Sequence, residues 1–340
     1  MTAPYSLLHF LVDGICAYAM FGRFSAMENW QLNVLFYNFC AFALQMPLGV
    51  ALDGLNQRWK WQRCTPPFIF AVMGVLLTCI GAWTHPIVLG LGNALFHLGG
   101  GVGTIFEDER RHWNGRGLGV FVAPGALGLY LGTQLAKSEM SGGPGWSIGA
   151  FILAAMGIVW RLKGLGKDEA AARKPEEWTW GKEALLMAGG CLLVVILRSY
   201  IGMAVSFPWK STFFAGTLAV LAVVLGKVAG GFASAKAGAG RTVVVSLVLS
   251  ALCYLCSGNM LMGVCALFLF NMTMPITLYL LVRRLKGLEG FSFGLLTFGL
   301  FVGFLPVYLG MDVPLGGPIL GCIGSLLSLG ILWGCTRLEC

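Results

Sequence analysis

Charged side chains are scarce in this sequence. Asp, Glu, Lys and Arg make up 11% of its 340 residues, whereas hydrophobic residues make up 57%. A soluble domain carries about 25% charged residues. With so few charges the chain cannot cover a globular surface with polar groups, so the composition predicts a membrane protein with several spans. The mean hydropathy of +0.78 agrees with this interpretation.

Several sequence motifs of known chemistry are also missing. The chain has 11 cysteines, but no pattern of cysteine and histidine ligands that suits a structural zinc ion. Most of these cysteines lie inside apolar runs, where a thiol behaves as a small hydrophobic group. No phosphate-binding glycine loop, HExxH motif or GxSxG motif is present. We therefore expect no cofactor, no metal site and no ATP-driven transport within this chain.

Long apolar runs follow one another along the whole chain. A helix needs about 20 apolar residues to cross the hydrocarbon core, and such runs recur with short breaks between them. The 49 glycines favour closely packed helices over a β-barrel. We predict an all-α membrane protein with twelve transmembrane helices, centred near Cys16, Phe42, Val75, Phe96, Leu127, Leu153, Leu193, Val220, Leu247, Phe268, Leu300 and Gly324.

Basic residues concentrate in every second break between the predicted helices. The breaks after even-numbered helices are rich in Lys and Arg, whereas the alternate breaks hold only Arg23, Lys137 and Lys210. Basic loops stay in the cytoplasm, which predicts cytoplasmic N- and C-termini in an inner or plasma membrane. The N-terminus lacks the basic start and cleavage site of a signal peptide, so we expect the first apolar segment to stay as a helix.

The longest polar break divides the twelve predicted helices into two sets of six. It predicts an N-terminal bundle over residues 1–162, a cytoplasmic linker over 163–182 and a C-terminal bundle over 183–340. The halves align as an internal repeat, with Gly49 on Gly230 and Asp13 on Arg198. Parallel repeats of this kind place a binding cavity at their interface, near the middle of the membrane.

The segment Gly49-Val50-Ala51-Leu52-Asp53, followed by Arg58, resembles the major facilitator superfamily. In that family the loop after the second helix reads G-x-L-A-D-R/K-x-G-R/K-R/K. This chain keeps the glycine, the aspartate and a basic residue, and it departs from the pattern at Gly54 and Asn56. The resemblance implies a secondary transporter with two pseudo-symmetric six-helix bundles, whose helices 1, 4 and 7 line the cavity.

Two further segments are similar to fosmidomycin-resistance-type transporters within that superfamily. The stretch from His9 to Gly14 gives a polar pair in helix 1, and Asn93 to Gly101 gives a Phe-His pair in helix 4. The superfamily resemblance also implies an inner gate, in which an aspartate caps a helix that begins near Gly290. The predicted gate residues are Asp53, Arg58, Arg110 and Arg111. A solvated loop is the alternative for the charged run from Phe106 to Gly117.

Five ionisable residues fall inside the predicted helices: His9, Asp13, His97, Arg198 and Lys227. Each costs at least about 2.5 kcal/mol at the centre of a membrane helix, so intramembrane charges are candidates for function. A guanidinium group has the planar shape that suits carboxylate or phosphate, which predicts an anionic or zwitterionic solute.

The sequence also pairs some of these residues. His9 and Asp13 are one helical turn apart on the same face, which predicts a proton-coupling pair. Asp13 and Arg198 are expected to face each other across the cavity. The simpler alternatives are a static Asp13–Arg198 salt bridge, a structural His97 and a Lys227 that extends to the cytoplasmic surface.

Milder polar residues on the presumed cavity helices complete the candidate binding set: Tyr18, Asn38, Gln45, Asn93, Tyr130, Gln134, Tyr200 and Asn271. The leading hypothesis is a monomeric, proton-coupled secondary transporter that works by alternating access on a small solute, with no nucleic-acid partner and no enzymatic activity. A proton-coupled drug efflux antiporter is one alternative. A membrane sensor without transport activity and a membrane-embedded enzyme are the others.

Overall fold

A computed structural model describes residues 1–58, 65–140, 147–162, 181–311 and 315–338. Within these ranges the regular structure is helical, and no strand is assigned. Most of the predicted linker, 163–182, lies outside the described residues. Its position as the border between two domains stays a prediction.

Each of the twelve predicted centres falls in a separate apolar helical segment. Among the described residues nine segments are long and apolar enough to cross a membrane: α1 (Thr2–Ala26), α2 (Trp30–Arg58), α4 (Pro86–Arg110), α5 (Arg116–Ser138), α7 (Lys182–Ala204), α8 (Phe213–Ala237), α10 (Met260–Arg284), α11 (Glu289–Tyr308) and α12 (Gly317–Arg337). Three shorter apolar helices complete the order: α3 (Pro66–Gly81), α6 (Ile148–Arg161) and α9 (Ala239–Leu255).

Prolines interrupt two of these segments. In α5 the helix stops at Val122 and resumes at Pro124. In α10 it stops at Asn271 and resumes at Thr273, two residues before Pro275. Proline cannot donate a backbone hydrogen bond to the preceding turn and its ring crowds that turn. Both breaks therefore follow directly from the sequence.

Glycines allow α3 and α4 to pack at very short range. A Cβ atom at Gly74 on α3 would lie 2.1 Å from the backbone nitrogen of Phe96 on α4. A Cβ atom at Gly99 on α4 would lie 2.2 Å from the backbone nitrogen of Ala71. Only residues without a side chain let two helix backbones approach so closely. This packing fixes α4, which carries the candidate binding residues Asn93 and His97.

The chain folds into two compact units, and two helices are divided between them. The first unit contains Met1–Arg111, Pro124–Glu177 and Gly287–Gly294. The second contains His112–Ala123, Trp178–Lys286 and Leu295–Cys340. The first residues of α5 therefore pack in the second unit, and the first residues of α11 pack in the first.

Equivalent glycine contacts hold the start of α11 in the first unit and the start of α5 in the second. In the first unit, a Cβ atom at Gly49 on α2 would lie 2.1 Å from the carbonyl oxygen of Gly290 at the start of α11. In the second unit, a Cβ atom at Gly231 on α8 would lie 2.8 Å from the carbonyl oxygen of Gly115, just before α5. The two contacts occur at neighbouring positions of the aligned repeats, which agrees with the internal repeat.

Candidate functional site

A cluster of ionisable side chains forms where α1 and α4 pack against each other in the first unit. His9 and Asp13 come from α1, one turn apart, and His97 comes from α4. The Nε2 atom of His9 lies 3.3 Å from Oδ2 of Asp13, and Nε2 of His97 lies 3.5 Å from Oδ1. The two Nε2 atoms are 2.8 Å apart. The structure thus adds His97 to the pair that helical spacing had indicated.

Asn93 holds this cluster in place from one turn earlier on α4. Its amide nitrogen donates to Oδ1 of Asp13 at 3.2 Å and contacts the sulfur of Cys16 at 3.5 Å. Its backbone carbonyl oxygen lies 2.9 Å from Nδ1 of His97. Because a carbonyl oxygen only accepts, Nδ1 of His97 carries the proton of this bond. In a neutral His97 the lone pair is therefore on Nε2, directed at His9.

A stripe of glycines on α5 covers the open side of the cluster. Cβ atoms at Gly128 and Gly132 would lie 2.0 Å and 2.2 Å from carbonyl oxygens of α1, so α5 and α1 are in backbone contact. Gly125 is on the same stripe. A Cβ atom there would lie 2.3 Å from Nε2 of His9 and 2.4 Å from Oδ2 of Asp13. Only glycine therefore fits at 125, because any side chain there would collide with those two atoms.

The carboxylate of Asp13 has no fixed cation beside it. Among the described residues of the first unit no Lys or Arg lies within salt-bridge distance of Asp13, and its ionic partners in that unit are the two histidines. The side chain of Asp13 is 19% exposed, and those of His9 and His97 are 8% and 9% exposed. A shielded carboxylate in this setting is expensive unless a cation neutralises it.

Arg198 lies in the last third of α7, in the second unit, and its side chain is buried. Its Nη1 atom makes no hydrogen bond with any residue that the structure describes. No carboxylate among the described residues of the second unit forms a salt bridge with it. A buried guanidinium N–H without an acceptor is costly, because this donor has lost water and gained nothing. That Arg198 faces Asp13 stays a prediction, because the two residues belong to different units.

Lys227 on α8 is buried rather than extended to the surface. Its Nζ atom donates to the carbonyl oxygen of Val122 at 3.2 Å, within the second unit. Val122 is the last helical residue before the break in α5. Lys227 therefore contributes to holding the broken helix, whatever further role it has.

Most of the milder polar candidates bond within their own helix. Asn38 donates to the carbonyl of Val34 at 2.8 Å, and Asn271 donates to that of Leu267 at 2.9 Å. Gln134 donates to the hydroxyl of Tyr130 at 3.3 Å. Gln45 is fully buried and donates to Ala41, but its Oε1 has no partner among the described residues. Tyr18 and Tyr200 are half-buried.

Asp53 caps the start of α11, and both Asp53 and this helix start lie in the first unit. Its Oδ1 accepts from the backbone N–H of Gly290 at 2.7 Å, and its Oδ2 accepts from that of Phe291 at 2.8 Å. The Asp53 side chain is buried. Carboxylates stabilise a helix N-terminus because they satisfy its free N–H groups and oppose its dipole. This is the contact that the superfamily resemblance implies for Asp53.

The other predicted gate residues lie elsewhere. Arg110 and Arg111 both bind the carboxylate of Glu107, three and four residues earlier on α4. Arg58 is exposed at the end of α2. The charged run predicted as either a solvated loop or a gate is helical as far as Arg110. Its Glu107 is buried. The i, i+3 and i, i+4 spacing from Glu107 to the two arginines could have indicated these ion pairs.

Sequence analysis missed other residues of these sites. Gly125 carries no chemical group, and its role appears only once α5 is packed on α1. Cys16 continues the helical face of His9 and Asp13, and contacts Asn93. The pair Cys253 and Cys256 has CxxC spacing at the end of α9, and both are free thiols.

No protein-family model and no curated protein sequence matches this chain. Solved structures do match over nearly its whole length. The Escherichia coli fucose:proton symporter aligns with a TM-score of 0.56 at 12% identity, covering 100% of this chain and 98% of that one. A bacterial homologue of the iron transporter ferroportin, in an outward-facing state with soaked iron, aligns with a TM-score of 0.62 at 12% identity, covering 99% and 98%.

These similarities define the fold. The chain is an all-α, multi-pass membrane protein with the major facilitator fold, as the resemblance in the sequence implied. The solved structures it is similar to are those of a fucose:proton symporter of the major facilitator superfamily and of a homologue of an iron transporter. The closer resemblance to fosmidomycin-resistance-type transporters is not confirmed by these comparisons and stays a prediction.

Proposed function

We propose that this protein is a secondary active transporter that moves a small anionic or zwitterionic solute across the membrane by alternating access. The observation that carries the proposal is the buried guanidinium of Arg198, whose Nη1 has no partner in the described part of the chain. A carboxylate or phosphate group on a solute would supply the missing acceptors. It would also neutralise the charge, and guanidinium binds such groups through two parallel hydrogen bonds.

The position of Arg198 argues against a purely structural role. Arginines that stabilise folded proteins are held by carboxylates or carbonyl oxygens. Ser199, its neighbour on α7, donates to the carbonyl of Leu300 at 2.7 Å and so ties α7 to α11. The Nη1 atom of Arg198 makes no such bond with the described residues. Burying this charge therefore destabilises the second unit, and no hydrogen bond to Nη1 offsets the loss. This is expected for a group that binds a solute.

Alternating access requires contacts that form and break during the cycle. We propose that Asp53 and the start of α11 form one such contact, as an inner gate. A carboxylate on a helix N-terminus is worth about 0.3–1 kcal/mol at an exposed site and up to about 2 kcal/mol when partly buried. Each charge-assisted hydrogen bond to the helix start adds about 1.5–3 kcal/mol, so the contact is large enough to bias an equilibrium between two states.

Proton coupling, cytoplasmic termini and a monomeric state complete the proposal. Coupling is proposed by analogy with the fucose:proton symporter, which shares the fold. The orientation rests on the alternation of basic breaks along the sequence. An ionophore that collapses the proton gradient should abolish concentrative uptake but leave solute exchange across the membrane intact.

The test compares the purified protein with its Arg198→Met variant in a thermal-shift screen of small carboxylates, organic phosphates, amines and neutral sugars. We expect some anions to stabilise the wild type and so raise its melting temperature. At an anion concentration of 100 times the dissociation constant, the added stability is about 2.7 kcal/mol. Arg198→Met should lose this response. The variant itself should be at least as stable as the wild type, because methionine fills similar space without a buried charge.

Two results would count against the proposal. The first is a response of the wild type to cations or neutral solutes alone, which would favour drug efflux or another substrate class. The second is a lower intrinsic stability of Arg198→Met together with an unchanged response to anions. That pair of results would make Arg198 a structural residue.

A further inference from the structure

We propose that His9, Asp13 and His97 form a binding site for one divalent transition-metal ion, such as Zn²⁺ or Fe²⁺. This inference goes beyond the transport of an anionic solute and does not depend on Arg198. Within the described residues these three form the single group of His, Cys, Asp or Glu side chains whose ligand atoms converge closely enough to share an ion.

The donor set selects the class of metal. Two imidazole nitrogens and one carboxylate are ligands of Zn²⁺ and Fe²⁺, and the remaining positions are left to water or a substrate. Mg²⁺ and Ca²⁺ prefer sites made of oxygen atoms alone. The cluster should therefore discriminate between the two classes of divalent cation.

The distances fit a shared ion. In a tetrahedral site with bonds of about 2.0–2.2 Å, ligand atoms lie about 3.3–3.6 Å from each other. Nε2 of His9 lies 3.3 Å from Oδ2 of Asp13, Nε2 of His97 lies 3.5 Å from Oδ1, and the two Nε2 atoms are 2.8 Å apart. The distances to the carboxylate therefore fit a shared ion, and the two histidine rings would have to separate by about half an ångström.

The surrounding groups orient the ligands as they do in known metal sites. A metal-binding histidine usually donates its other ring N–H to a carbonyl or carboxylate, which fixes the ring and its tautomer. His97 does so through Nδ1 to the carbonyl of Asn93. The amide of Asn93 also holds Asp13 through Oδ1. One residue of α4 thus orients two of the three ligands.

Charge and space favour an ion at this place. Within the first unit Asp13 has no Lys or Arg beside it among the described residues, so a bound cation would supply a positive charge that this unit lacks. The buried Oδ1 of Asn93 has no partner in the same ranges, which leaves an acceptor for a donor such as a metal-bound water. Gly125 keeps a side chain away from His9 and Asp13.

The experiment is a titration of the metal-free, full-length protein in nanodiscs with Co²⁺, followed by visible d–d absorption bands, and with Zn²⁺ by calorimetry. Mg²⁺ serves as the hard-cation control. We expect one equivalent of Co²⁺ or Zn²⁺ to bind and Mg²⁺ not to compete. Asp13→Asn, His97→Gln and Gly125→Ala should each weaken binding by at least about 10–100-fold, the loss typical of disturbing a metal site.

The chain offers a matched control for the histidines. His85 and His112 are its other two histidines, and both are exposed. Asparagine suits both positions, because it can cap α4 at 85 and tolerates the positive φ of 53° at 112. The double variant His85→Asn/His112→Asn should bind Co²⁺ as the wild type does. Loss of binding in this variant, with retention in the cluster variants, would overturn the proposal.

A measurement on the wild type covers the case in which a cluster variant fails to fold. Zn²⁺ should protect His9 and His97 from modification by diethyl pyrocarbonate, read by mass spectrometry, and should leave His85 and His112 unprotected. Absence of protection, or failure of Co²⁺ and Zn²⁺ to bind more tightly than Mg²⁺, would refute the site. A failed Arg198 test with successful metal binding would refute the proposed solute alone.

Discussion

Replacing Asp53 with asparagine tests the contact between α2 and the start of α11. The two carboxylate oxygens of Asp53 accept from Gly290 and Phe291 at 2.7 Å and 2.8 Å. An asparagine keeps one acceptor oxygen but turns an NH₂ group toward the other backbone N–H. One charge-assisted bond is lost, worth about 1.5–3 kcal/mol. The interaction of the carboxylate with the helix dipole, worth about 0.3–1 kcal/mol, is lost as well.

Together these losses, about 1.8–4 kcal/mol, predict that the contact opens more often by a factor of about 20 to 900. Hydrogen–deuterium exchange measured by mass spectrometry on a peptide from the start of α11 reports this directly. The amide protons of Gly290 and Phe291 should exchange faster in Asp53→Asn by that factor. Solute uptake should also change its kinetics, because the gate would close less completely.

Gly54→Ala is the matched control, one residue further along α2. A Cβ atom at Gly54 would meet nothing within 4 Å. Alanine also favours the helix by about 1 kcal/mol over glycine, so exchange at Gly290 should not increase. Unchanged exchange at both amides in Asp53→Asn would refute the estimate of the contact. Unchanged uptake kinetics would refute the gate.

Two further predictions concern stability, measured by thermal unfolding of the detergent-solubilised protein. Gly74→Ala should destabilise it by about 1–3 kcal/mol, because the added Cβ would lie 2.1 Å from a backbone atom of α4. The control Gly157→Ala should not destabilise it, because a Cβ there meets nothing within 4 Å. Equal effects of the two variants would contradict the packing argument. Glu107→Gln should destabilise by about 1–3 kcal/mol, since two arginines lose their buried acceptor. Unchanged stability of Glu107→Gln would mean that these ion pairs do not stabilise the fold.

Hydropathy and spacing predicted the features that depend on local sequence. Each of the twelve predicted centres lies in its own helix, because the length of an apolar run is a local property. The capping contact of Asp53 was implied by the resemblance of a short motif at the end of α2 to the superfamily's motif. The His9–Asp13 pair followed from helical periodicity alone.

The features that sequence analysis missed depend on tertiary packing. His97 is 84 positions after Asp13, and it joins the cluster only because α4 packs on α1. Nothing local distinguishes Gly125 from the other glycines of the chain. For the same reason the sequence predicted no metal site: ligands on two helices leave no short spacing pattern. The burial of Glu107 was missed because a dense charge run resembles a loop.

The most direct test of the central claim is counterflow of a labelled solute in proteoliposomes, which needs no ion gradient. The solute is the anion that gives the largest thermal shift in the screen. The wild type should accumulate label transiently against excess unlabelled anion inside, and Arg198→Met, reconstituted to the same density, should not. No counterflow by the wild type, or equal counterflow by Arg198→Met, would contradict anion transport through Arg198.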